Sequence, residues 1–311
     1  MSDHPNKVLI TAKVHPYLVD YLTDKGFQVL YHPAITYDEV CQTIHSCVGM
    51  VVTTRIKVDQ ALLDQASELQ WIARLGSGME MIDVEYATHK GIQCVSSPEG
   101  NCDAVGDHAI GMLLSLLNNI LKSNLELRDG MWIREKNRGV ELQDKVVGII
   151  GFGHTGSAFA QRLSGFGCRV LAFDRYKSGF GNEWVEESSM DDLFRHADIV
   201  SIHVPLNEET DQLVNKTFIG SFASPFYLIN TSRGRIVNTS DVIQGMKDER
   251  ILGVCLDVLE NEKLETYSEE EKTQLEFLLQ SPHAVLTPHI AGYSREASYK
   301  MAHFVLKKLG I

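Results

Sequence analysis

Cysteine is scarce in this sequence, and no two cysteines are spaced as a pair. Six cysteines are spread over 311 residues without a C-x-x-C motif or a dense cluster. Closely spaced cysteines of these kinds are typical of disulfide-rich secreted domains and of cysteine-based zinc sites. We therefore expect reduced thiols in a cytoplasmic protein without a metal centre. The loose group of Cys41, His45 and Cys47 is too irregular to predict a metal site.

Long apolar runs and an excess of basic residues are also missing. No uninterrupted apolar run approaches the ~18 residues of a membrane-spanning helix, and the N-terminus M-S-D-H-P-N-K has no apolar signal core. The chain carries 29 Lys and Arg against 41 Asp and Glu, a net charge of −12. Nucleic acid and anionic membranes would be repelled, so neither is expected as a partner. A small anionic substrate remains possible, because a few local cations can dominate a cleft.

Apolar runs and amphipathic segments alternate along the chain, which indicates an α/β fold. The length favours two domains. Strands of the first alternation are predicted near residues 7–11, 28–31, 49–53, 71–75 and 92–95. A long apolar helix over 101–127 and a polar arm over 128–140 follow, and a final helix over 294–309 is predicted to pack on the first domain. Six strands of the second alternation are predicted near 146–150, 170–173, 198–203, 227–230, 253–257 and 284–286.

A glycine-rich turn opens the second alternation. The strand from Val146 runs into Gly151-Phe-Gly153-His-Thr-Gly156, and the next strand ends at Asp174. Gly151 permits a tight turn, Gly153 lets backbone N–H groups approach a pyrophosphate, and Gly156 lets the helix pack closely on the strand. A carboxylate at Asp174 can bind an adenosine ribose and repels a 2′-phosphate. The order of these parts predicts a dinucleotide site that prefers NAD to NADP.

Three later strands end in residues suited to hydride transfer to a 2-oxo acid. Arg233 follows the strand over 227–230, Glu260 and Glu262 follow the strand over 253–257, and His289 follows the strand over 284–286. An arginine grips a carboxylate with two parallel hydrogen bonds and polarises the neighbouring carbonyl. A histidine oriented by a carboxylate can protonate the carbonyl oxygen. Which of the two glutamates orients His289 is left open by the sequence.

The motifs together resemble the D-isomer-specific 2-hydroxyacid dehydrogenases, a family that includes phosphoglycerate dehydrogenase and glyoxylate or hydroxypyruvate reductases. The resemblance covers nearly the whole chain and rests on R-L-G-S-G at Arg74, G-F-G-H-T-G at Gly151, H-V-P-L at His203, N-T-S-R-G at Asn230, L-D-V-L-E-N-E at Leu256 and T-P-H-I-A-G at Thr287. It implies two doubly wound α/β domains, with a Rossmann nucleotide-binding domain inserted into a flavodoxin-like substrate domain. The implied boundaries are 1–98 and 287–311 for the substrate domain and 99–286 for the NAD-binding domain. A hinge is expected near 96–101 and 284–292.

The resemblance also implies roles for individual residues. Arg233 would bind the substrate carboxylate and carbonyl, His289 would be the acid/base, and Glu262 would pair with it. Asp257 would hold the nicotinamide amide, and the turn ending in Ser77 and Gly78 would present backbone N–H groups to the substrate. The other implied cofactor contacts lie along the pyrophosphate and the nicotinamide. They are His154, Thr155, His203, Pro205, Thr231, Ser232, Ala291 and Gly292.

Substrate and partners are less defined by the resemblance. Arg55 and Lys57 lie where related enzymes place cations for a second anionic group, which makes 3-phosphoglycerate a candidate substrate, and Arg134 could also reach it. A chain ending at Ile311 would then be a short form without a regulatory domain. The alternatives are a glyoxylate or hydroxypyruvate reductase and a non-catalytic NAD(H)-sensing corepressor of the same fold. The family dimerises through its nucleotide domain, so a homodimer involving residues 112–140 is expected, with Trp132 either packed internally or at the interface.

Overall fold

The structure is a computed structural model that describes residues 6–311. These residues form two compact units. The first unit comprises the described residues up to Asp103 together with Gly292–Ile311, and the second comprises Ala104–Ala291. Elements of the first part of the chain are β1 Lys7–Ile10, α1 Pro16–Asp24, β2 Gln28–Tyr31, α2 Tyr37–Thr43, β3 Cys47–Val52, α3 Gln60–Gln65, β4 Trp71–Arg74, α4 Val84–His89, β5 Gln93–Ser96 and α5 Pro98–Leu117.

The remaining elements continue the same alternation. They are α6 Ile120–Arg128, β6 Val146–Ile150, α7 His154–Leu163, β7 Arg169–Phe173, β8 Glu186–Glu187, α8 Met190–His196, β9 Ile199–Ile202, α9 Lys216–Ser221, β10 Phe226–Asn230, α10 Thr239–Lys247, β11 Ile251–Leu256, α11 Glu269–Gln280, β12 Ala284–Leu286 and α12 Arg295–Leu309.

The first unit is a five-stranded parallel sheet in the order β2-β1-β3-β4-β5, the flavodoxin-like order. Apolar clusters cover both of its faces. The strands β1 and β3 are accordingly almost wholly buried, as is expected of parallel strands with helices on both sides. Helix α12 contributes to one of these clusters through Ala302, Val305 and Leu306.

The second unit is a parallel sheet in the order β12-β11-β10-β9-β6-β7-β8. Counted from β6, this is the dinucleotide-binding order 3-2-1-4-5-6 with a seventh strand added at one side. The predicted fold class is therefore confirmed. The sequence predicts six strands here and misses β8, because its two residues, Glu186 and Glu187, are exposed and give no apolar signal.

The predicted single helix over 101–127 is wrong, because the structure divides it into α5 and α6. Asn119 lies between them with φ 52°, in the left-handed region that asparagine tolerates better than most residues. Side chains of α5 such as Leu113 enter the core of the second unit, whereas α6 buries none of its residues. Among residues 6–311, no single helix has the length and hydropathy to cross a membrane, and α5 and α6 meet that test only as a pair bent by 61°.

The units divide at 103/104 and 291/292, whereas the sequence places the boundaries at 98/99 and 286/287. Helix α5 starts at Pro98, and its first turn belongs to the first unit. A Cβ atom on Gly100 would lie 2.6 Å from Cα of Met301 in α12, which shows how closely the two helices approach. At the other boundary, Ala291 is hydrogen-bonded to Asp257 within the second unit. The boundaries predicted from the sequence lie close to the ends of strands, and therefore they separate Gly100 from Met301 and Ala291 from Asp257.

Candidate active site

The glycine turn joins β6 to α7 within the second unit. Gly151 has φ 94°, and a Cβ atom there would lie 2.5 Å from the carbonyl oxygen of His203. A Cβ atom on Gly156 would lie 2.1 Å from the carbonyl oxygen of Gly151, so both positions require glycine. Gly153 is the N-cap of α7 without a side-chain cap, and a Cβ built on it would have no heavy atom of the described residues within 4 Å apart from those of the adjoining chain. This open helix N-terminus fits a pyrophosphate.

Asp174 lies just beyond β7 and binds the glycine turn directly. Its Oδ2 accepts a hydrogen bond from the backbone N–H of Phe152 at 2.8 Å. Its Oδ1 accepts from the N–H groups of Tyr176 and Lys177 at 3.0 and 3.1 Å, and Nζ of Lys177 donates to the carbonyl of Phe152 at 3.0 Å. The carboxylate therefore lies beside the turn, where it also has lone pairs suited to a ribose.

His203 lies beneath the turn and is buried. Its Nε2 is 2.8 Å from the hydroxyl of Ser201, and its Nδ1 is 3.3 Å from the hydroxyl of Thr155. Burial lowers the pKa of His203 from 6.5 to about 3, so the ring is neutral near pH 7. Among the other predicted cofactor contacts in this region, His154 and Pro205 are exposed. The hydroxyl of Thr210 donates to the Pro205 carbonyl at 2.6 Å.

The loop after β10 carries Arg233 and is shaped by Asn230. The Asn230 amide donates to the carbonyl of Arg233 at 2.9 Å and accepts from the N–H of Ser232 at 3.0 Å. The hydroxyl of Ser232 donates to the carbonyl of Ile202 in β9 at 2.8 Å. Thr231 is 8% exposed, and its Oγ1 is buried without a hydrogen-bond partner in the described residues. A buried polar atom of this kind fits a site for a polar ligand.

His289 is paired with Glu262. Nδ1 of His289 lies 2.9 Å from a carboxylate oxygen of Glu262, and both side chains are a little under half exposed. Glu260 has different partners: it accepts from the amide of Gln212 and from the backbone N–H of Thr239, each at 2.8 Å. Of the two glutamates that the sequence leaves open as partners of His289, the structure therefore pairs Glu262 with it. Strands β10, β11 and β12 are neighbours in the sheet, so the loops with Arg233, Glu262 and His289 follow adjacent strands.

Asp257 is a buried carboxylate that holds the His289 loop. Its carboxylate accepts hydrogen bonds from the backbone N–H groups of Ile290 at 2.8 Å and Ala291 at 2.9 Å. The hydroxyl of Thr287 donates to the same carboxylate at 2.6 Å, and Nε2 of His108 lies 3.0 Å from that hydroxyl. Neither His108 nor Thr287 is predicted from the sequence to have a role. Thr287 stands in the T-P-H-I-A-G motif, but no sequence signal links it to a histidine in α5.

The predicted substrate residues of the first unit follow its neighbouring strands β3 and β4. The guanidinium of Arg55 donates to the backbone carbonyls of Thr11, at 3.1 Å, and Ile35. Lys57 is exposed, with Nζ 4.0 Å from Asp59. In the other loop, the hydroxyl of Ser77 donates to Asn101 at 3.0 Å. Gly78 and Gly292 are both partly buried. Within residues 6–311, no three His, Cys, Asp or Glu side chains are grouped as metal ligands.

The sheet order and the glycine turn define a protein of the dinucleotide-binding α/β class. The profile of the family described as D-isomer specific 2-hydroxyacid dehydrogenase, NAD binding domain, matches residues 110–291. The chain belongs to this family, which confirms the resemblance drawn from its motifs. The predicted cofactor, NAD, is confirmed as well.

Two relatives and one solved structure agree with this assignment. The chain is 34% identical to glyoxylate reductase of Thermococcus litoralis over 270 residues, covering 84% of this chain and 79% of that protein. It is 29% identical to D-3-phosphoglycerate dehydrogenase of Archaeoglobus fulgidus over 305 residues, covering 97% of this chain and 56% of that protein. The chain thus spans little more than half the length of such phosphoglycerate dehydrogenases. The solved structure of D-2-hydroxyisocaproate dehydrogenase is similar with a TM-score of 0.86 and 25% identity, covering 98% of this chain and 95% of that one.

Proposed function

We propose that this protein is an NAD-dependent oxidoreductase that interconverts a D-2-hydroxy acid and its 2-oxo acid. The observation that carries the proposal is the pair of His289 and Glu262, 2.9 Å apart, on loops next to the one that bears Arg233. Family membership and the open N-terminus of α7 support it. The bound cofactor would supply or accept the hydride. The protein itself would bind and orient the substrate and would transfer one proton.

The three residues take distinct roles in this proposal. Arg233 binds the substrate carboxylate and polarises the adjacent carbonyl. His289 gives a proton to the carbonyl oxygen in reduction and removes it in oxidation. Because Nδ1 faces Glu262, we assign Nε2 to the substrate oxygen. The carboxylate of Glu262 stabilises the protonated ring and fixes its orientation.

The remaining predicted contacts keep their roles as proposals. Gly151, Gly153, His154, Thr155 and Gly156 line the pyrophosphate, and Asp174 binds the adenosine ribose. His203, Pro205, Thr231, Ser232, Ala291 and Gly292 complete the cofactor site. Asp257 holds the nicotinamide amide with the carboxylate lone pairs that do not accept from Ile290 and Ala291. Arg55, Lys57, Ser77 and Gly78 contact the substrate from the first unit.

The substrate is proposed as a small 2-oxo acid such as glyoxylate or hydroxypyruvate, or as a phosphorylated acid such as 3-phosphohydroxypyruvate. Similarity over most of the length of the T. litoralis glyoxylate reductase favours the first. Arg55 favours the second, since two backbone carbonyls hold its guanidinium in place and it retains further donors. If the protein prefers the phosphorylated acid and Arg55→Ala abolishes this preference, the phosphorylated acid is the substrate.

We further propose a cytoplasmic homodimer. Its six cysteines form no disulfide within the described chain, which fits a reducing compartment. A surface on α6 and the following arm supports the dimer, because six large apolar side chains there are exposed. They are Ile120, Leu121, Leu125, Leu127, Met131 and Trp132, the last 80% exposed. We refer to these six residues as the α6 surface.

Oxidation of NADH in the presence of a panel of 2-oxo acids tests the activity. Glyoxylate, hydroxypyruvate, pyruvate and 3-phosphohydroxypyruvate should be included, with product chirality determined for any acid that is reduced. We expect a D-2-hydroxy acid as product. NADH binding without turnover of any acid would instead favour the non-catalytic NAD(H)-sensing alternative.

A further inference from the structure

The backbone of His289 has an uncommon conformation. Its φ is 55°, in the left-handed region that residues other than glycine rarely adopt. Such a conformation costs free energy and persists when the surrounding contacts determine it. The direction of the imidazole depends on this backbone. Whatever holds residues 289–291 therefore also holds the proposed acid/base.

One residue supplies most of the restraint. The backbone carbonyl of Asp257 accepts from the N–H of His289 at 2.7 Å. Its carboxylate accepts from the N–H groups of Ile290 and Ala291 at 2.8 and 2.9 Å. The backbone carbonyl and the carboxylate of Asp257 thus accept hydrogen bonds from three consecutive N–H groups. Asp257 is 1% exposed, so water cannot easily replace these bonds.

The orientation of that carboxylate is fixed by Thr287. Its hydroxyl donates to Oδ1 of Asp257 at 2.6 Å, and the same oxygen accepts from the N–H of Ile290. A hydroxyl has one proton, and an ionised carboxylate can only accept. With its proton on the 2.6 Å bond to Asp257 rather than on the 3.7 Å contact to Sδ of Met112, the threonine oxygen acts as the acceptor toward Nε2 of His108, at 3.0 Å. This assigns the proton of His108 to Nε2.

His108 connects this network to α5. Nε2 of His108 also lies 3.7 Å from Oδ1 of Asp257, and its side chain is 23% exposed. The neighbouring residues Ala109 and Met112 are buried in the core of the second unit, which limits movement of the helix at this point. The ring thus donates to Thr287 from a rigid element.

We propose that His108 and Thr287 are positioning residues for His289. They hold the Asp257 carboxylate in the rotamer that binds the N–H groups of Ile290 and Ala291, and this keeps His289 in its left-handed conformation beside Glu262. Neither residue needs to touch substrate or cofactor. The inference rests on the proposed function for the role of His289, but its structural part is independent of activity.

Two variants remove the network at different points. His108→Leu deletes the donor, and Thr287→Val deletes the hydroxyl at nearly constant volume. His108→Gln is the conservative variant, because its side-chain amide can donate where Nε2 does. His283→Leu is the matched control, since His283 is an exposed histidine at the other end of β12. Thr287→Val keeps the test valid if His108→Leu does not fold.

Steady-state kinetics form the first measurement. We expect kcat to fall by about tenfold to 10² in His108→Leu and Thr287→Val, because small displacements of a catalytic group have effects of this size. The KM for the oxo acid should stay within about twofold, because Arg233 lies on another loop, and His108→Gln should recover most of kcat. Wild-type kcat in both variants overturns the proposal. So does an equal loss of kcat in His108→Gln and His108→Leu.

Amide hydrogen exchange of a peptide covering residues 288–292 forms the second measurement. We expect about tenfold faster exchange in both variants and wild-type exchange in His283→Leu. Unchanged exchange overturns the positioning role. If the wild-type protein reduces none of the acids, the proposed function fails by that result alone, while exchange still decides whether His108 and Thr287 hold the loop.

Discussion

A carboxylate oxygen of Glu262 lies 2.9 Å from Nδ1 of His289, and the carboxylate of Glu260, two residues earlier, binds Gln212 and Thr239 instead. The two glutamates of one loop thus act at different places. Glu260 fastens the loop to the N-terminus of α10, and Glu262 meets the histidine. This difference makes them a matched pair for mutagenesis.

Glu262→Gln should lower kcat by about tenfold or more, because the neutral amide stabilises a protonated imidazole less well. Glu260→Gln should leave kcat within about twofold, since the Glu260 carboxylate binds Gln212 and Thr239 and not His289. Reduction of the best 2-oxo acid of the panel, followed through NADH absorbance, measures both. The opposite ranking would exchange the roles of the two glutamates.

His289→Gln should lower kcat by about 10² or more, the usual scale for loss of a general acid. Binding of NADH should persist, because the glycine turn and Asp174 are unaltered. Fluorescence titration with NADH separates the two effects. His283→Gln serves as the control, and an unchanged rate in His289→Gln would remove this residue from the mechanism.

Asp174→Asn should reduce the preference for NAD over NADP by about tenfold or more, the scale of one hydrogen bond to a charged group. The one carbonyl oxygen of asparagine can accept either from Phe152 or from Tyr176 and Lys177, and the side chain lacks the charge that repels a 2′-phosphate. The neighbouring Arg175 is 3.3 Å from Glu209, and this pairing limits its attraction for such a phosphate. The ratio of kcat/KM for NADH and NADPH is the measurement, and an unaltered ratio would contradict the assignment.

His203 should make the protein less stable in mild acid. Its pKa is lowered from 6.5 to about 3 by burial, so the unfolded chain binds the proton and the folded chain does not. Stability from this group is complete above about pH 6.5 and declines as the pH falls toward 3. Between pH 7 and pH 5 the loss should be about 2 kcal/mol. Urea unfolding at both values should show a smaller difference for His203→Gln than for the wild type, and equal differences would refute the effect.

Charge on the α6 surface should weaken the proposed dimer. Leu125→Asp and Trp132→Asp each place a carboxylate where apolar side chains would be buried between subunits. Sedimentation velocity should show a dimer for the wild type and monomer for these variants. Trp184→Asp, which replaces an exposed tryptophan elsewhere in the second unit, should remain dimeric. A monomeric wild type would contradict the interface.

Much of the fold could be predicted because its strands are buried on both faces and read as apolar runs. The β6 strand and the Gly151 turn are clear for this reason, and so is the sheet class. The division of α5 from α6 could not be predicted, because apolar residues resume at Ile120 directly after Asn118 and Asn119, and nothing in this pattern requires a left-handed backbone. The edge strand β8 was missed because it consists of two exposed glutamates.

The candidate site was predictable to a similar extent. Arg233 and His289 stand at strand ends in recognisable motifs, and their catalytic roles stay predictions until measured. The choice between Glu260 and Glu262 depends on distant partners such as Gln212, which local sequence does not reveal. The contact between His108 and Thr287 joins α5 to the loop after β12, and no periodicity signals a hydrogen bond of that range.

Helix α12 gives the first unit a discontinuous core. Its residues Ala302, Val305 and Leu306 pack in one cluster with Val8 and Ile10 of β1, although the whole of the second unit lies between them in the chain. On the ribosome, residues 104–291 can gather their own core as soon as they emerge. Until α12 has been synthesised, α1 is the only helix of this cluster that can cover that face of the sheet, through Leu18 and Leu22. During that interval the apolar side chains that α12 will cover, such as Trp71 and Val95, remain accessible to chaperones and to other unfolded chains.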